Sequence, residues 1–303
     1  MNSKQRGIKV STKVVEIPAV WLAGASCSGC SVSLLNAVAP TVKNVLIDPV
    51  IPGKHLNLKF HATIMAGQGE PVIKVLQTTQ SASKGSYLLL IEGAVVTQDD
   101  GLYCTIGEAG GKHISFKDKF LELARDALAV VGIGTCACFG GIPSGKPNPS
   151  GSKGVKQALA EAGLKTPVIN VPGCPPHPDW MVGTVAMVML GGLPPAEALD
   201  YAGRPKAFYG KLIHENCPRR PYFDAGQFAK FTGDEGCLYQ IGCKGPMTYA
   251  DCPTRLWNNG VNWCVGSGSP CLGCCEPTYP DDLQPMLEKI NEERLSRFQI
   301  KTR

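Results

Sequence analysis

Charge is scarce in this chain. Asp, Glu, Lys and Arg make up 18% of its 303 residues, against roughly 25% in an ordinary soluble protein. So little charge is consistent with a surface that a partner covers. Long Lys/Arg runs are missing: Arg219-Arg220 is the clearest basic pair, and the formal net charge is only +5. That argues against a nucleic-acid footprint, which needs clustered positive charge. Long apolar runs are missing too. No stretch reaches the ~18–20 continuous apolar residues of a membrane span. The most apolar N-terminal piece, Val14 to Gly24, is broken by Glu16 and Pro18. Lys4, Arg6, Lys9 and Lys13 make the start basic, but neither a twin-Arg pair nor a long apolar segment follows. An export signal is therefore not visible. A cytoplasmic location is expected, with a periplasmic one left open if a signal is missing from this chain. What is present is an apolar fraction of 44%, enough for a sizeable core in one large or two smaller domains.

Cysteine is abundant. There are 14, at 27, 30, 104, 136, 138, 174, 217, 237, 243, 252, 264, 271, 274 and 275. Three explanations compete. Disulfides suit small secreted domains, which this chain does not resemble. Structural zinc favours compact paired knuckles. Iron–sulfur clusters take thiolates from distant segments. Here C-x-x-C occurs at Cys27/Cys30 and Cys271/Cys274, and the other cysteines are scattered through Gly/Pro-rich loops. That spacing favours iron–sulfur and leaves zinc and disulfides as alternatives.

The first two thirds read as alternating strands and helices. Short apolar runs predict strands at 19–23, 45–47, 87–91, 129–133 and 168–171. Helical spacing predicts helices at 31–38, 116–128, 153–162 and 179–190. Such alternation implies a parallel sheet with helices on both faces, binding its ligands beyond the C-terminal strand ends. Cys27 and Cys30 follow the first strand, Cys136 follows 129–133, and Cys174 follows 168–171. Four thiolates therefore converge on one sheet edge, enough for one cubane. Gly24, Gly29, Gly134 and Gly173 let the backbone approach and aim amides at cluster sulfurs.

After about Leu199 the pattern changes. Residues 200–280 carry eight cysteines, many Gly and Pro, and little periodicity. Such a region needs staples, and metal clusters supply them. A last helix is expected over Asp281–Phe298, with Leu283, Met286, Leu287 and Ile290 on its packed face.

The motifs resemble one family, the small subunit of nickel–iron hydrogenases. They are Cys-Ser-Gly-Cys-Ser (27–31), Gly-Thr-Cys-Ala (134–137), Pro-Gly-Cys-Pro-Pro-His-Pro-Asp-Trp (172–180), His-Glu-Asn-Cys-Pro (214–218), Gly-Cys-Lys-Gly-Pro (242–246), Val-Asn-Trp (261–263) and Cys-Leu-Gly-Cys (271–274). Ala-Asp-Cys at 250–252 and Gly-Val-Asn-Trp-Cys at 260–264 look closest to the selenium-containing branch. The expected fold is a flavodoxin-like α/β domain over 1–199, then a mostly irregular domain over 200–303 stapled by iron–sulfur clusters.

The resemblance implies three clusters in a line. The proximal one takes Cys27, Cys30, Cys136 and Cys174. The distal one takes His214, Cys217, Cys237 and Cys243. The medial one takes Cys252, Cys271 and Cys274. Many relatives have Pro where Cys264 stands and hold a 3Fe–4S medial centre. Here Cys264 offers a fourth thiolate, so three 4Fe–4S clusters are expected. Eleven cysteines and His214 then complete twelve ligands. A neutral imidazole at His214 makes the distal cluster less negative and raises its potential.

Cys104, Cys138 and Cys275 remain as small buried thiols, with Cys138 and Cys275 also read as cluster neighbours or substitute ligands. His177 is expected to donate to a cluster sulfur or to the partner chain, and His55, His61 and His113 are structural. In the oxygen-tolerant branch extra cysteines surround the proximal cluster. Gly29 and Gly141 stand at those places here, which argues against that mechanism, while Cys138 leaves a variant of it open.

Nothing in the chain points to a nickel site. The family holds nickel and iron in a separate large subunit, where hydrogen is split. This chain is expected to pass electrons between that site and an external carrier such as a cytochrome or ferredoxin. The proximal edge would face the large subunit across a large interface. Two rival readings stand beside it: the iron–sulfur subunit of another redox complex, and a scaffold stapled by zinc, for which His214, Cys217, Cys237 and Cys243 suit a Cys₃His site.

Overall fold

The computed structural model describes residues 14–46, 48, 53–291 and 293. In chain order it forms β1 (Val15–Ala23), α1 (Gly29–Leu35), α2 (Val42–Leu46), β2 (Lys54–His61), α3 (Glu70–Ala82) and β3 (Leu88–Glu92). A hairpin of β4 (Thr105–Ala109) and β5 (Lys112–Ser115) follows, then α4 (Phe116–Asp126), β6 (Ala129–Ile133), α5 (Gly134–Phe139), α6 (Val155–Glu161), β7 (Val168–Val171) and α7 (Pro178–Gly191).

Five strands form one parallel sheet in the order β2-β1-β3-β6-β7. Numbered within the sheet alone this is the flavodoxin-like 2-1-3-4-5 order, whose switch point lies between β1 and β3. Leu88-Leu89-Leu90-Ile91 in β3 and Ala129-Val130-Val131 in β6 are buried throughout, as strands covered on both faces must be. Alternation sorts the side chains. Trp21, Leu88, Leu90 and Val131 pack with Leu34 of α1 and Met181 and Val185 of α7. Val20, Leu22, Leu89 and Ile91 pack with Leu76 of α3, Phe120 of α4 and Leu159 of α6 on the other face.

Helix ends follow local chemistry. Ser115 Oγ accepts from the Asp118 backbone N–H at 3.0 Å and caps α4, a contact worth about 1 kcal/mol. His177 caps α7, with Pro178 in its first turn.

Two expected elements differ. Residues 45–47 were expected as a strand, but Val42–Leu46 is a helix. Thr41 Oγ1 accepts from the Asn44 N–H at 3.2 Å and starts it. A three-residue apolar run does not distinguish strand from helix. Ile47 lies outside the described residues. The missing strand is β2, with only Leu56, Phe60 and His61 buried, at 4%, 5% and 2% exposure. Its Lys and His residues suit a sheet edge.

The expected helix over Asp281–Phe298 is also not seen over residues 281–291, though Glu293 is helical. Asp281–Leu283 makes one 3₁₀ turn, and the chain then runs irregularly to 291. Pro285 disfavours helical backbone at Gln284. Residues 292 and 294–298 lie outside the described ones. Leu283 and Ile290 still pack against Met247 and Tyr279, while Leu287 is exposed.

Beyond residue 199 the described chain has only short helical pieces, α8 (Lys206–Tyr209), α9 (Arg220–Asp224), α10 (Cys252–Arg255) and 3₁₀ turns. Tyr209, Ile213, Leu238, Trp263 and Cys271 join the buried cluster on the α1/α7 face of the sheet. The irregular part therefore shares that core with the sheet.

Candidate metal centre

The C-terminal strand ends place the first group of thiols. Gly24 closes β1, where an added Cβ would stand 2.5 Å from the Ala94 carbonyl oxygen. The chain then turns through Cys27 into α1, which carries Cys30. Cys136 lies in α5, directly after β6, and Cys174 follows β7. Thr135 joins the last two ends: its N–H donates to the Gly173 carbonyl at 3.0 Å, and its Oγ1 accepts from the Gly173 N–H at 2.9 Å. Gly134 has φ 84, and a Cβ there would lie 2.5 Å from Cys30 Sγ. Only glycine lets Cys30 and the β6 turn come this close.

The thiols crowd one another. Burial pushes Cys30 far up, and Glu92, Cys136 and Cys27 push the same way. Cys174 is pushed up to about 12 by burial, then by Cys274, Cys136 and Cys27. Burial also raises Cys136. Cys27 and Cys174 are exposed, so this group opens at the surface.

Sequence reasoning passed over Glu92. It ends β3, is 1% exposed and accepts from every donor at the turn above it. Oε1 takes the Cys30 N–H at 3.0 Å and the Ser31 N–H at 3.3 Å. Oε2 takes the Trp21 indole N–H at 3.0 Å and the Ser31 hydroxyl. The available signal was a Glu closing a wholly apolar strand.

A second group lies in the irregular part. His214, Cys217, Cys237 and Cys243 line one cavity with Ile213, Leu238 and Val265. Burial holds His214 below the usual histidine range, and Arg220 adds to this. Its ring is therefore neutral near pH 7, the form that ligates metal. It meets the Phe223 ring edge-on at 4.6 Å. Arg219 braces the loop before Cys237 by donating to the Asp234 and Gly236 carbonyls at 2.7 and 2.6 Å.

A third group lies between the other two. Burial raises Cys252, with Cys274 and Cys264 as its nearest negative neighbours. Burial also raises Cys264, with Cys274 beside it, and Cys271, with Cys243, Cys274 and Cys252 around it. The Cys275 thiol, 4.0 Å away, lowers Cys274 by hydrogen bonding. This group touches both others. Cys274 neighbours Cys174, and its carbonyl accepts from Thr135 Oγ1. The Cys271 N–H donates to Cys243 Sγ at 3.4 Å.

The remaining residues have other roles. Cys138 is buried and donates to the Gly132 carbonyl at 3.2 Å. Cys104 packs on the α3/α4 side of the sheet. His177 was expected to reach a cluster sulfur or a partner, but both of its ring nitrogens are used within the chain. Nδ1 accepts from the Asp179 N–H at 3.0 Å and Nε2 bonds the Leu256 carbonyl at 2.8 Å. His61 is buried, with Nδ1 accepting from the Thr63 N–H at 3.2 Å and Nε2 near Ser31. Among the described residues no three His, Cys, Asp or Glu side chains converge tightly enough for a single metal ion.

Comparison with known proteins fits this arrangement. Residues 27–188 match the family described as NADH ubiquinone oxidoreductase, 20 Kd subunit. Residues 209–287 match the family described as the C-terminal part of the NiFe/NiFeSe hydrogenase small subunit. The periplasmic NiFeSe hydrogenase small subunit of Desulfomicrobium baculatum is 44% identical over 277 residues, covering 88% of this chain and 86% of the relative. The chain belongs to the hydrogenase small-subunit family.

A second relative of the small subunit, from the periplasmic NiFe hydrogenase of Solidesulfovibrio fructosivorans, is 42% identical, covering 89% of this chain and 81% of the relative. The solved NiFeSe hydrogenase of Desulfovibrio vulgaris Hildenborough superposes with a TM-score of 0.86 at 43% identity, over 92% of this chain and all of the matched chain. Small subunits of this family carry iron–sulfur clusters and pair with a large subunit that holds the catalytic centre. The expectation of a cytoplasmic location is overturned, because both of these small-subunit relatives are described as periplasmic. That expectation rested on the residues near Met1, and the chemistry of a folded domain does not report the compartment it works in. No described helix is long and apolar enough to cross a membrane.

The donor set fits such clusters. Thiols that burial and mutual repulsion keep protonated need a cationic centre to ionise together. Each group offers four soft or borderline donors.

Proposed function

We propose that this protein holds three 4Fe–4S clusters: proximal on Cys27, Cys30, Cys136 and Cys174; medial on Cys252, Cys264, Cys271 and Cys274; and distal on His214, Cys217, Cys237 and Cys243. When bound, the clusters would supply one-electron carriers between the large subunit and an external partner. The observation that carries this reading is the pair of links, Cys174 beside Cys274 and Cys271 bonded to Cys243. They order the groups proximal, medial, distal.

The chain's own residues set up each end. Val32, Leu35 and Val38, in and just after α1, are about half exposed at 56%, 51% and 49%, next to exposed Cys27. Such an apolar, weakly charged face suits the large subunit. At the other end the neutral His214 ring and its aromatic neighbours suit electron exit to a cytochrome or ferredoxin. The division into domains at residue 199 is kept as part of this reading, as is a periplasmic location, which the two relatives described as periplasmic support.

The test is metal analysis of the anaerobically purified complex. Nickel near one per complex, with about twelve irons beyond the nickel site and no zinc, is the expected result, since three cubanes hold that many. About eleven irons would restore a 3Fe–4S medial centre. Iron without nickel would mean a different redox complex, and zinc in place of iron would defeat the reading.

A further inference from the structure

Lys244 follows Cys243 and is 1% exposed. Its Nζ donates to the carbonyl oxygens of Pro285 at 3.0 Å and Glu288 at 2.6 Å. Both are neutral peptide oxygens. Among the described residues no carboxylate pairs with it. The other fully buried cation, Arg204, is treated differently: Asp200 and Glu276 meet it at 2.7 and 3.0 Å. A buried ammonium without a counter-charge is costly.

Burial lowers the Lys244 pKa, and Cys243, Cys271 and the exposed Glu288 act against that fall. The backbone clamps Lys244 between those two cysteines. Its N–H donates to the Cys271 carbonyl at 2.7 Å, and its own carbonyl accepts from Thr248 Oγ1 at 2.7 Å. Chain adjacency to Cys243 and the bond to Cys271 place Lys244 beside both groups of proposed ligands, whose clusters would carry the negative charge it lacks.

We infer that Lys244 is a fixed positive charge between the medial and distal clusters that makes both easier to reduce. This rests on the ligand assignment proposed above. Cluster potential follows net charge and nearby hydrogen bonds. Lys244 touches no reacting atom. It is a positioning residue that acts on the electron path through its field, and its hold on residues 285–288 keeps the ammonium in place.

The test is a redox titration of the intact complex, followed by EPR, for the native protein and for Lys244→Met, Lys244→Gln and Lys244→Arg. In the neutral variants the reduction equilibria of the medial and distal clusters should shift by about tenfold toward the oxidised form, which is about 59 mV for one electron. The proximal cluster should not move, and Lys244→Arg should stay near the native values. Unchanged potentials in assembled neutral variants would overturn the inference. So would an equal shift at all three clusters, or an Arg variant that behaves like Met. Loss of clusters from both neutral variants but not from Arg would make the charge an assembly requirement and would also overturn it. A native protein without a cluster on Cys252, Cys271 and Cys274 would instead defeat the ligand assignment, before any variant is made.

Discussion

The backbone N–H of Cys271 donates to the sulfur of Cys243 at 3.4 Å, across 28 residues of chain. Each cysteine belongs to a different group of thiols, so this contact joins the medial site to the distal one. Cys271 also packs in the core that covers the sheet.

On the proposed assignment, Cys264 is the fourth thiolate of the medial centre and sets its type. Its thiol sits beside Cys274, which also neighbours Cys252. In Cys264→Pro the medial site should hold a 3Fe–4S centre of higher potential. EPR of the oxidised variant should show that centre, and the oxidised native protein should not. An intact 3Fe–4S signal in undamaged native protein would refute the four-thiolate site.

His214→Cys should keep the iron content unchanged and lower the distal potential, because a thiolate adds negative charge to the cluster. Electron transfer to an external dye should slow by about tenfold, equivalent to about 1.4 kcal/mol. Dye-linked turnover equal to the native rate would show that His214 has no part in electron exit.

Glu92→Ala should be costly. It leaves the Cys30, Ser31 and Trp21 donors without their buried acceptor, at about 1–3 kcal/mol for an unsatisfied group. The melting temperature should fall, and the proximal cluster should be lost before the others. Glu92→Gln keeps an acceptor oxygen and should lose less. Equal stability of the Ala variant and the native protein would remove Glu92 as the brace of this turn.

His177 ties stability to pH. Burial lowers its pKa, with Asp179 acting the other way. The folded state therefore binds its proton less readily than the unfolded chain. Stability from this group is present above the unfolded value near 6.5 and is lost as pH falls toward the folded value. Protonation would also remove the Nδ1 acceptor that caps α7. Thermal unfolding between pH 7.5 and 5 should show a decline that His177→Asn, which keeps a capping oxygen, makes shallower. An identical decline in that variant would assign the pH effect to other groups.

The central strands were legible because they are buried on both faces, and only continuous apolar runs such as 88–91 and 129–133 satisfy that position. Helices α4 and α7 were legible from their spacing. The edge strand β2 was not, since one solvated side leaves it a polar sequence. The strand expected at 45–47 was misread at 45 and 46 because a short apolar run fits either element. Over 281–291 the expected helix gave way because proline and tertiary packing overrode an amphipathic pattern.

The sequence by itself determined the class of this protein: strand-end turns carrying cysteine, a cysteine-rich irregular part, and motifs in a fixed order. These are local, since soft donors and tight turns are written in residue type and spacing. Only the tertiary structure decided what lies between the groups. It placed Glu92 under Cys30, used both nitrogens of His177 for α7 and the Leu256 loop, and left Lys244 buried without a carboxylate among the described residues. Those outcomes depend on which distant groups share a low-dielectric space, and charge and hydrogen-bond accounting there is a property of the packed chain.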